Sequence, residues 1–409
     1  MLVMRVLQIN TSVNYGSTGR IAEDIGQLLL KEGHESVIAY GRSANKSKSN
    51  IIKIGKRIDL FFHLALTLLF DRHGFGSNTA TKLFVKQLKD NKPDLIHLHN
   101  IHGYYLNIHV LFEFIKEFKI PIVWTFHDCW PFTGHCSYFD AVNCYKWQQQ
   151  CKKCPNLRAY PKSWFFDNSK INYNQKKSLF ADIENLTIIT PSVWLAKHVE
   201  ESFFKGCRVK VIYNGIDLDV FKPQDHSNIY KKFNIPEGKM ILGVASKWDK
   251  RKGLSDFKRL RSVLPAEVII VLVGLSEKQL SALPKGIIGI IRTDNIAEMA
   301  LLYNCASVFV NPTYVDNFPT TNIEALACGT PVVTYNTGGC SESVDNATGF
   351  VVKRGDLSEL ITAINTALLN GKDHYKTACR NRAIRLFNKI HRYRDYIDIY
   401  HGIMNIRHK

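Results

Sequence analysis

Short apolar runs alternate along this chain with amphipathic stretches. In the first half the runs are Val3–Ile9, Ser36–Tyr40, Leu95–His99, Ile122–Phe126, Thr187–Thr190 and Val209–Tyr213. In the second they are Met240–Ala245, Val268–Val273, Ile287–Ile291, Ser307–Asn311, Pro331–Tyr335 and Gly349–Val352. Each is too short for a helix of its own and lacks the polar alternation of a half-exposed strand. Between them lie segments of helical period, such as Gly19–Lys31, which puts Ile21, Ile25, Leu28 and Leu29 on one face and stops at Gly33. Apolar strands separated by helices predict a parallel sheet covered on both faces. The pattern occurs twice in 409 residues, more than one core usually supports. The expected class is therefore α/β with two doubly wound, Rossmann-like domains. The expected limits are 1–213 and 237–390, with a hinge over 214–236 and a basic helical tail over 391–409.

Composition adds a partner class. The chain carries 54 Lys and Arg against 36 acids, a formal net charge of +18. Such a balance favours an anionic partner. The basic residues are scattered and not interleaved with aromatics, and no nucleic-acid module is present, so a phosphorylated substrate or an acidic lipid surface is expected instead of nucleic acid. The opening MLVMRVLQIN has no secretory character. The longest apolar segment, Leu60–Phe70, is broken by His63 and too short to span a bilayer. The expected location is the cytoplasm or the inner face of the membrane, with Arg57–Phe75 read either as a docking element or as a buried helix. Ten cysteines in such a compartment point to reduced thiols or to metal. Cys136, Cys144, Cys151 and Cys154 fall in a Lys-rich insertion, about 129–160, and read either as a structural zinc site or as free thiols.

The segment Asn311–Gly339, NPTYVDNFPTTNIEALACGTPVVTYNTGG, carries the chemistry. It reads as strand, loop, short helix over Thr320–Cys328, strand and glycine turn. A helix N-terminus opening at a strand end offers free N–H groups and a partial positive charge to a phosphate. Asp316 lies in the loop and Glu324 follows eight residues later in the helix. Either Glu324 reaches a ligand or Thr321-x-x-Glu324 is a capping box. The acid-x7-acid spacing, with ACGTPVV and TGG beside it, resembles the signature of family 4 retaining nucleotide-sugar glycosyltransferases of GT-B fold. This chain has Asp316 where Glu is usual there.

That resemblance covers nearly the whole chain in order. It implies two domains facing an interdomain cleft, with the last helix, Tyr393–Ile406, crossing back to the first domain. Ser246–Gly253 (SKWDKRKG) resembles the family's diphosphate grip, with Lys252 in place and Lys247 where Arg is usual; Arg251 is a substitute. Asn14–Gly19 (NYGSTG) opens the first helix, and Gly16 and Gly19 would let backbone approach a ligand. His99, His102 and Tyr104 follow one strand, His127 and Asp128 the next. The resemblance assigns His127 to the donor sugar and His99, His102, Tyr104 and Asp128 to the acceptor side. Phe318, Pro319, Thr320, Thr321, Gly274 and Arg292 would surround the nucleotide diphosphate, with Glu324 on the ribose. Tyr213–Asp217 (YNGID) resembles the family's hinge, with Gly215 expected in the left-handed region.

The implied reaction moves a hexosyl group, with retention and without catalytic metal, from a nucleotide diphosphate sugar (UDP- or GDP-linked) to a lipid-linked oligosaccharide. The HLHNIHGYY, HDCWPFTG and Cys-rich segments most resemble enzymes of bacterial surface polysaccharides such as colanic acid, capsule, O-antigen or lipopolysaccharide. Lys247, Lys252 and the helix terminus would stabilise the leaving diphosphate, and Asp316 and His127 would hold the sugar. The competing readings are a sugar-nucleotide epimerase or sugar-phosphate glycosyl synthase, and a non-catalytic nucleotide-sugar-binding assembly subunit.

Overall fold

The computed structural model describes residues 3–407, and the chain divides into two compact units. One holds Met1–Ile212 and Tyr393–Lys409; the other holds Tyr213–Arg392.

The first unit is built on seven parallel strands: β1 Arg5–Asn10, β2 Glu35–Tyr40, β3 Asn50–Lys53, β4 Leu95–Leu98, β5 Ile122–Thr125, β6 Leu186–Thr190 and β7 Arg208–Val211, in the order β3-β2-β1-β4-β5-β6-β7. The second has six: β8 Met240–Val244, β9 Ile269–Val273, β10 Ile287–Ile290, β11 Val308–Asn311, β12 Val332–Tyr335 and β13 Gly349–Val352, in the order β10-β9-β8-β11-β12-β13. All strand pairs are parallel. Twelve strands therefore lie where the apolar runs predict them, within two residues at each end. The edge strand β3 was not expected: Asn50, Ile51 and Lys53 are exposed, so the segment carries no buried apolar run.

Successive side chains of a strand point to opposite faces, and each sheet splits its core accordingly. In β1, Leu7 and Ile9 join one apolar cluster, while Val6 joins the other. In β9, Val271 and Val273 face one layer of helices and Ile270 and Leu272 the other. The helix Lys389–Arg407 lays Tyr393, Tyr396, Ile397 and Tyr400 on the same layer as Val6, Val123 and Ile189. These are the residues that make an otherwise weakly patterned tail a packed element.

The YNGID segment departs from expectation in one respect. Gly215 is absent from the left-handed residues. A Cβ there would lie 2.5 Å from the Lys389 Cα, so close passage of two chain segments selects glycine. The backbone confirms that passage: Ile216 N–H donates to Phe387 O at 2.7 Å and Lys389 N–H to Ile216 O at 3.1 Å. Asp217 accepts from the N–H groups of Asp219 and Val220 and pairs with Lys389 at 2.7 Å.

Candidate active site

In a doubly wound sheet the strand order reverses at one point, and ligands bind outside the carboxyl ends of the strands flanking it. In the second unit those strands are β8 and β11. The two loops singled out from the sequence follow these two strands. Lys252 lies in the loop after β8 and Asp316 in the loop after β11, and Lys252 Nζ pairs with Asp316 Oδ2 at 2.5 Å. Both side chains keep about a fifth of their surface, 21% and 17%.

Backbone bonds tie the two loops together. Tyr314 N–H donates to Arg251 O at 2.7 Å, and the Thr313 hydroxyl donates to the same oxygen at 3.2 Å. Gly253 makes this approach feasible: its φ is +75°, and a Cβ would lie 2.2 Å from Pro312 O. The Arg251 guanidinium is engaged locally, with Asp249 at 3.1 Å. Behind Asp316, Gly338 at φ +53° brings the TGG turn within 1.8 Å (for a virtual Cβ) of Asp316 O. Gly339 N–H then donates to Asn317 O at 2.8 Å.

The helix after this loop spans Thr320–Ala327 with Pro319 as its N-cap, and no side chain caps it. The capping-box reading of Thr321 and Glu324 is thereby removed. Glu324 instead accepts from the Tyr303 hydroxyl at 2.8 Å. Burial, with Glu324 beside it, pushes the Tyr303 hydroxyl well above its ordinary value, so it stays a donor. Asn322 anchors the helix, bonding Asn311 at 2.8 Å and Ser343 at 3.0 Å. Phe318 and Pro319 are buried, whereas Thr320, Thr321 and Glu324 are half-buried. Phe318 stacks on Tyr213 at 5.2 Å. The helix thus begins four residues after Asp316 with an uncapped first turn, and carries one half-buried acid, Glu324.

Gly274 ends β9 at φ +94°, and its N–H donates to Ile290 O at 2.9 Å. Arg292 lies just beyond the edge strand β10 and is exposed, as is Lys247 after β8. Neither is drawn into the pair at the switch point. Tyr303, with no local motif and 21 residues from its partner, gave no sequence signal.

A second cluster lies in the first unit, where the order reverses between β1 and β4. The loop after β1 carries Asn14 at φ +46° and Gly16 at φ +68°. Gly19 starts the packed part of the first helix, Gly16–Lys31, and accepts from Asn14 N–H at 3.0 Å. The Thr11 hydroxyl lies 3.1 Å from Asn100 O and 2.9 Å from His102 O, joining this loop to the one after β4. His99 bonds His127 at 3.2 Å and Gln8 at 3.0 Å. His102 bonds Asp128 at 2.9 Å and the Tyr160 hydroxyl at 3.0 Å.

Burial, with His97 and His127 adding to it, holds His99 well below the usual imidazole range, and burial brings His127 down to about 4. Burial works to raise the Asp128 carboxyl, but His102 and the Trp130 N–H outweigh it and hold it below its ordinary value. The site therefore contains two neutral imidazoles beside one carboxylate. Tyr104, at φ +74°, is half-buried and packs 4.8 Å from His73. His97 is structural: it bonds Thr125 at 2.8 Å and Tyr400 of the last helix at 2.6 Å. Gln8, Tyr160 and Tyr400 are partners no motif announced.

Four of the cysteines surround a small cavity lined by His135, Cys136, Cys144, Trp147, Cys151 and Cys154, and none of the ten forms a disulfide. Among the described residues, the metal-type donors gathered within 4.8 Å of one another are Glu32, His34 and His401; the cysteine sulfurs form no trio that tight.

Sequence comparison matches residues 225–385 to Glycosyl transferases group 1 and residues 18–220 to Glycosyltransferase Family 4. An Escherichia coli K12 protein named as a glycosyl transferase of colanic acid biosynthesis, WcaC, is 26% identical over 88% of this chain and 89% of its own length. The D-inositol 3-phosphate glycosyltransferase of Mycobacterium bovis is 28% identical over 39% of this chain and 36% of its own. Among solved structures, sucrose-phosphate synthase from Thermosynechococcus elongatus superposes with a TM-score of 0.73 at 18% identity, over 98% of this chain and 99% of the other. HepE from Anabaena, in complex with UDP and glucose, gives 0.69 at 16%, over 97% and 99%. With its two parallel-sheet α/β units of seven and six strands, this chain belongs to the family 4, group 1 glycosyltransferases of GT-B fold.

Proposed function

We propose that this glycosyltransferase takes its sugar from a nucleotide diphosphate sugar and transfers it, with retention, to a lipid-linked oligosaccharide of a bacterial surface polysaccharide. The observation that carries the reading is the Lys252–Asp316 pair at the β8/β11 switch point, with the uncapped helix Thr320–Ala327 beginning four residues after Asp316. A lysine, a helix N-terminus and close-packed glycine turns form a diphosphate cradle without metal. That HepE is described with UDP and with UDP-glucose on the same fold supports this donor class.

In this mechanism the donor diphosphate takes over Lys252. Asp316, released from its ion pair, accepts from a sugar hydroxyl, and Glu324, oriented by Tyr303, accepts from the ribose. Gly274, Arg251, Arg292 and Lys247 flank the nucleotide. His127 is assigned to the donor sugar, and His99, His102, Asp128 and Tyr104 to the acceptor, with Gly16–Gly19, the first turn of the first helix, beside them. As the glycosidic bond breaks, negative charge grows on the diphosphate, and Lys252 and the helix terminus hold it more strongly than in the ground state. The acceptor hydroxyl attacks the same face and gives its proton to the departing phosphate.

The acceptor's lipid fits an exposed apolar face on the first unit. The helix Arg57–Phe70 exposes Phe61 (62%) and Phe62 (65%), and a loop carrying the exposed Phe165 and Phe166 stacks Phe166 on Phe70 at 5.5 Å. Lys56, Arg57 and Lys162 flank these aromatics, which suits an anionic bilayer surface. No helix among the described residues is long and apolar enough to cross a membrane.

The test is a screen of nucleotide sugars for release of nucleoside diphosphate with and without crude lipid-linked acceptor. Acceptor-dependent release supports the reading. Release without any lipid acceptor favours a synthase on soluble sugar phosphates, and absence of binding to both UDP and GDP by calorimetry overturns the donor class.

A further inference from the structure

Residues 126–168 contain no α-helix and no strand, only short 3-10 turns. An ordered stretch of that length without regular structure needs something to hold it. Part of the answer is apolar, since Phe132, Phe139 and Trp147 join the core of the first unit. Around the cysteine-lined cavity that support thins: Cys136 joins the core and Cys151 packs against it, but Cys144, Cys151 and Cys154 are only half-buried and their neighbours Tyr145, Lys152 and Lys153 are exposed.

Three observations there point to one missing occupant. The first is His135. It is buried, lines the cavity and bonds Asp71 through Nδ1 at 2.5 Å, while its Nε2 has no partner. A buried, unpaired ring nitrogen is costly unless a group in the cavity meets it. The second is Lys176. It is 1% exposed, and among the described residues it has no salt bridge; its ammonium donates to Trp130 O at 2.8 Å and Thr133 O at 3.1 Å and lies 3.4 Å over the Trp130 ring. Burial lowers the Lys176 ammonium to about 7, while Asp128 and Asp71 work against that from beyond ion-pair distance. A buried ammonium without a contacting anion calls for negative charge close by.

The third observation is the sulfur geometry itself. Gly134 N–H donates to Cys151 Sγ at 3.2 Å. A Cβ on Gly134 would lie 2.0 Å from Ser169 O, so glycine is what lets that N–H approach. Cys151 and Cys154 are separated by two residues, of which Lys153 turns the chain at φ +47°, and Cys154 N–H is fixed by Asp167 at 2.6 Å. This is a C-x-x-C turn in which one sulfur already accepts an N–H···S bond, a contact that favours thiolate.

We propose that Cys136, Cys144, Cys151 and Cys154 bind one structural zinc ion as a tetrathiolate, with Lys176 as its buried counter-charge and His135 Nε2 as a hydrogen-bond partner of the cluster. Four thiols each lose one proton to solvent as one Zn²⁺ binds, so the centre carries a net charge of −2. The buried ammonium and the histidine then face the anion they lack. The ion draws the sulfurs inward from their present spread. Structural zinc of this kind contributes directly to folding. Its role is to hold the HDCWPFTG loop, and with it Asp128, in place.

Two measurements on the full chain, purified from zinc-replete medium, test this. Elemental analysis is expected to give one zinc per chain, lost in Cys154→Ser and in Cys151→Ser and retained in His401→Gln, which alters the other donor cluster. Because a cysteine variant can fail to fold, wild-type protein is also reconstituted with cobalt, where the intense visible bands of tetrahedral cobalt thiolate are expected, together with protection of four thiols from a disulfide reagent. Zinc-free protein whose four thiols react freely overturns the proposal. So does zinc that survives Cys154→Ser but disappears in His401→Gln.

Discussion

Replacing Lys252 by alanine separates leaving-group stabilisation from simple charge complementarity. At an effective dielectric of about 20, one positive charge about 4 Å from a phosphate oxygen is worth about 4 kcal/mol gross. Against this stands the ion pair the lysine gives up. Its partner Asp316 lies at 2.5 Å, and both groups keep only about a fifth of their surface, so desolvation of the two charges offsets most of their attraction and leaves about 1 kcal/mol net. The net, about 3 kcal/mol, corresponds to a loss of about 10²-fold in kcat. Folding should survive, because only a partly exposed pair is lost. The assay is turnover of the donor at saturating acceptor, run beside thermal unfolding to show that the variant is folded. The double variant with Asp316→Ala completes a cycle. Since donor binding parts the two groups, the acid should matter to KM and the lysine to kcat. Near-normal kcat in a folded Lys252→Ala protein would refute the reasoning.

Other predictions follow from the same geometry. Tyr303→Phe removes the 2.8 Å bond to Glu324, and about 0.5–1.5 kcal/mol of orientation should disappear from donor affinity; nucleotide calorimetry reads it, and unchanged affinity in both this variant and Glu324→Ala removes the acid from the ribose. Asp128→Asn deprives His102 of its charged partner at 2.9 Å; acceptor KM should rise while donor KM holds, and the reverse split would move Asp128 to the donor side. Burial keeps His127 at about 4 and His63 at about 3, against 6.5 in the unfolded chain. The unfolded chain therefore binds more protons below pH 6.5, so stability is full above that value and falls as the solution is acidified toward 4. Thermal unfolding between pH 7.5 and 5 checks the sign, and a flat or inverted profile contradicts it. Vesicles containing anionic lipid should co-sediment the protein, and Phe61→Ser with Phe62→Ser should release it; binding indifferent to both changes excludes the aromatic face.

Eleven of the thirteen strands were legible because parallel strands covered on both faces are largely apolar, and the exposed edge strand β7 was legible from the run Val209–Tyr213. The thirteenth, β3, is an edge strand with a largely exposed surface, and burial leaves no mark on such a segment. The candidate site was readable where its residues lie in loops that follow strands, since Asp316, Lys252 and His127 stand in compact motifs. It was unreadable wherever a partner comes from a distant helix. Tyr303 reaches Glu324 from the preceding helix, and Tyr400 reaches His97 across 303 positions. Nothing in either tyrosine's neighbourhood announces the contact; tertiary packing alone creates it. Gly215 shows the complementary limit: the sequence marks a place where only glycine fits, but not whether torsion or steric crowding is the reason. In this chain it is crowding against Lys389.

A crystal structure of the chain with a bound nucleoside diphosphate tests the central claim most directly. Its phosphates are expected over the first turn of Thr320–Ala327, with Lys252 turned from Asp316 onto a phosphate oxygen and the ribose on Glu324. Phosphates bound elsewhere, with the Lys252–Asp316 pair intact, would contradict the account.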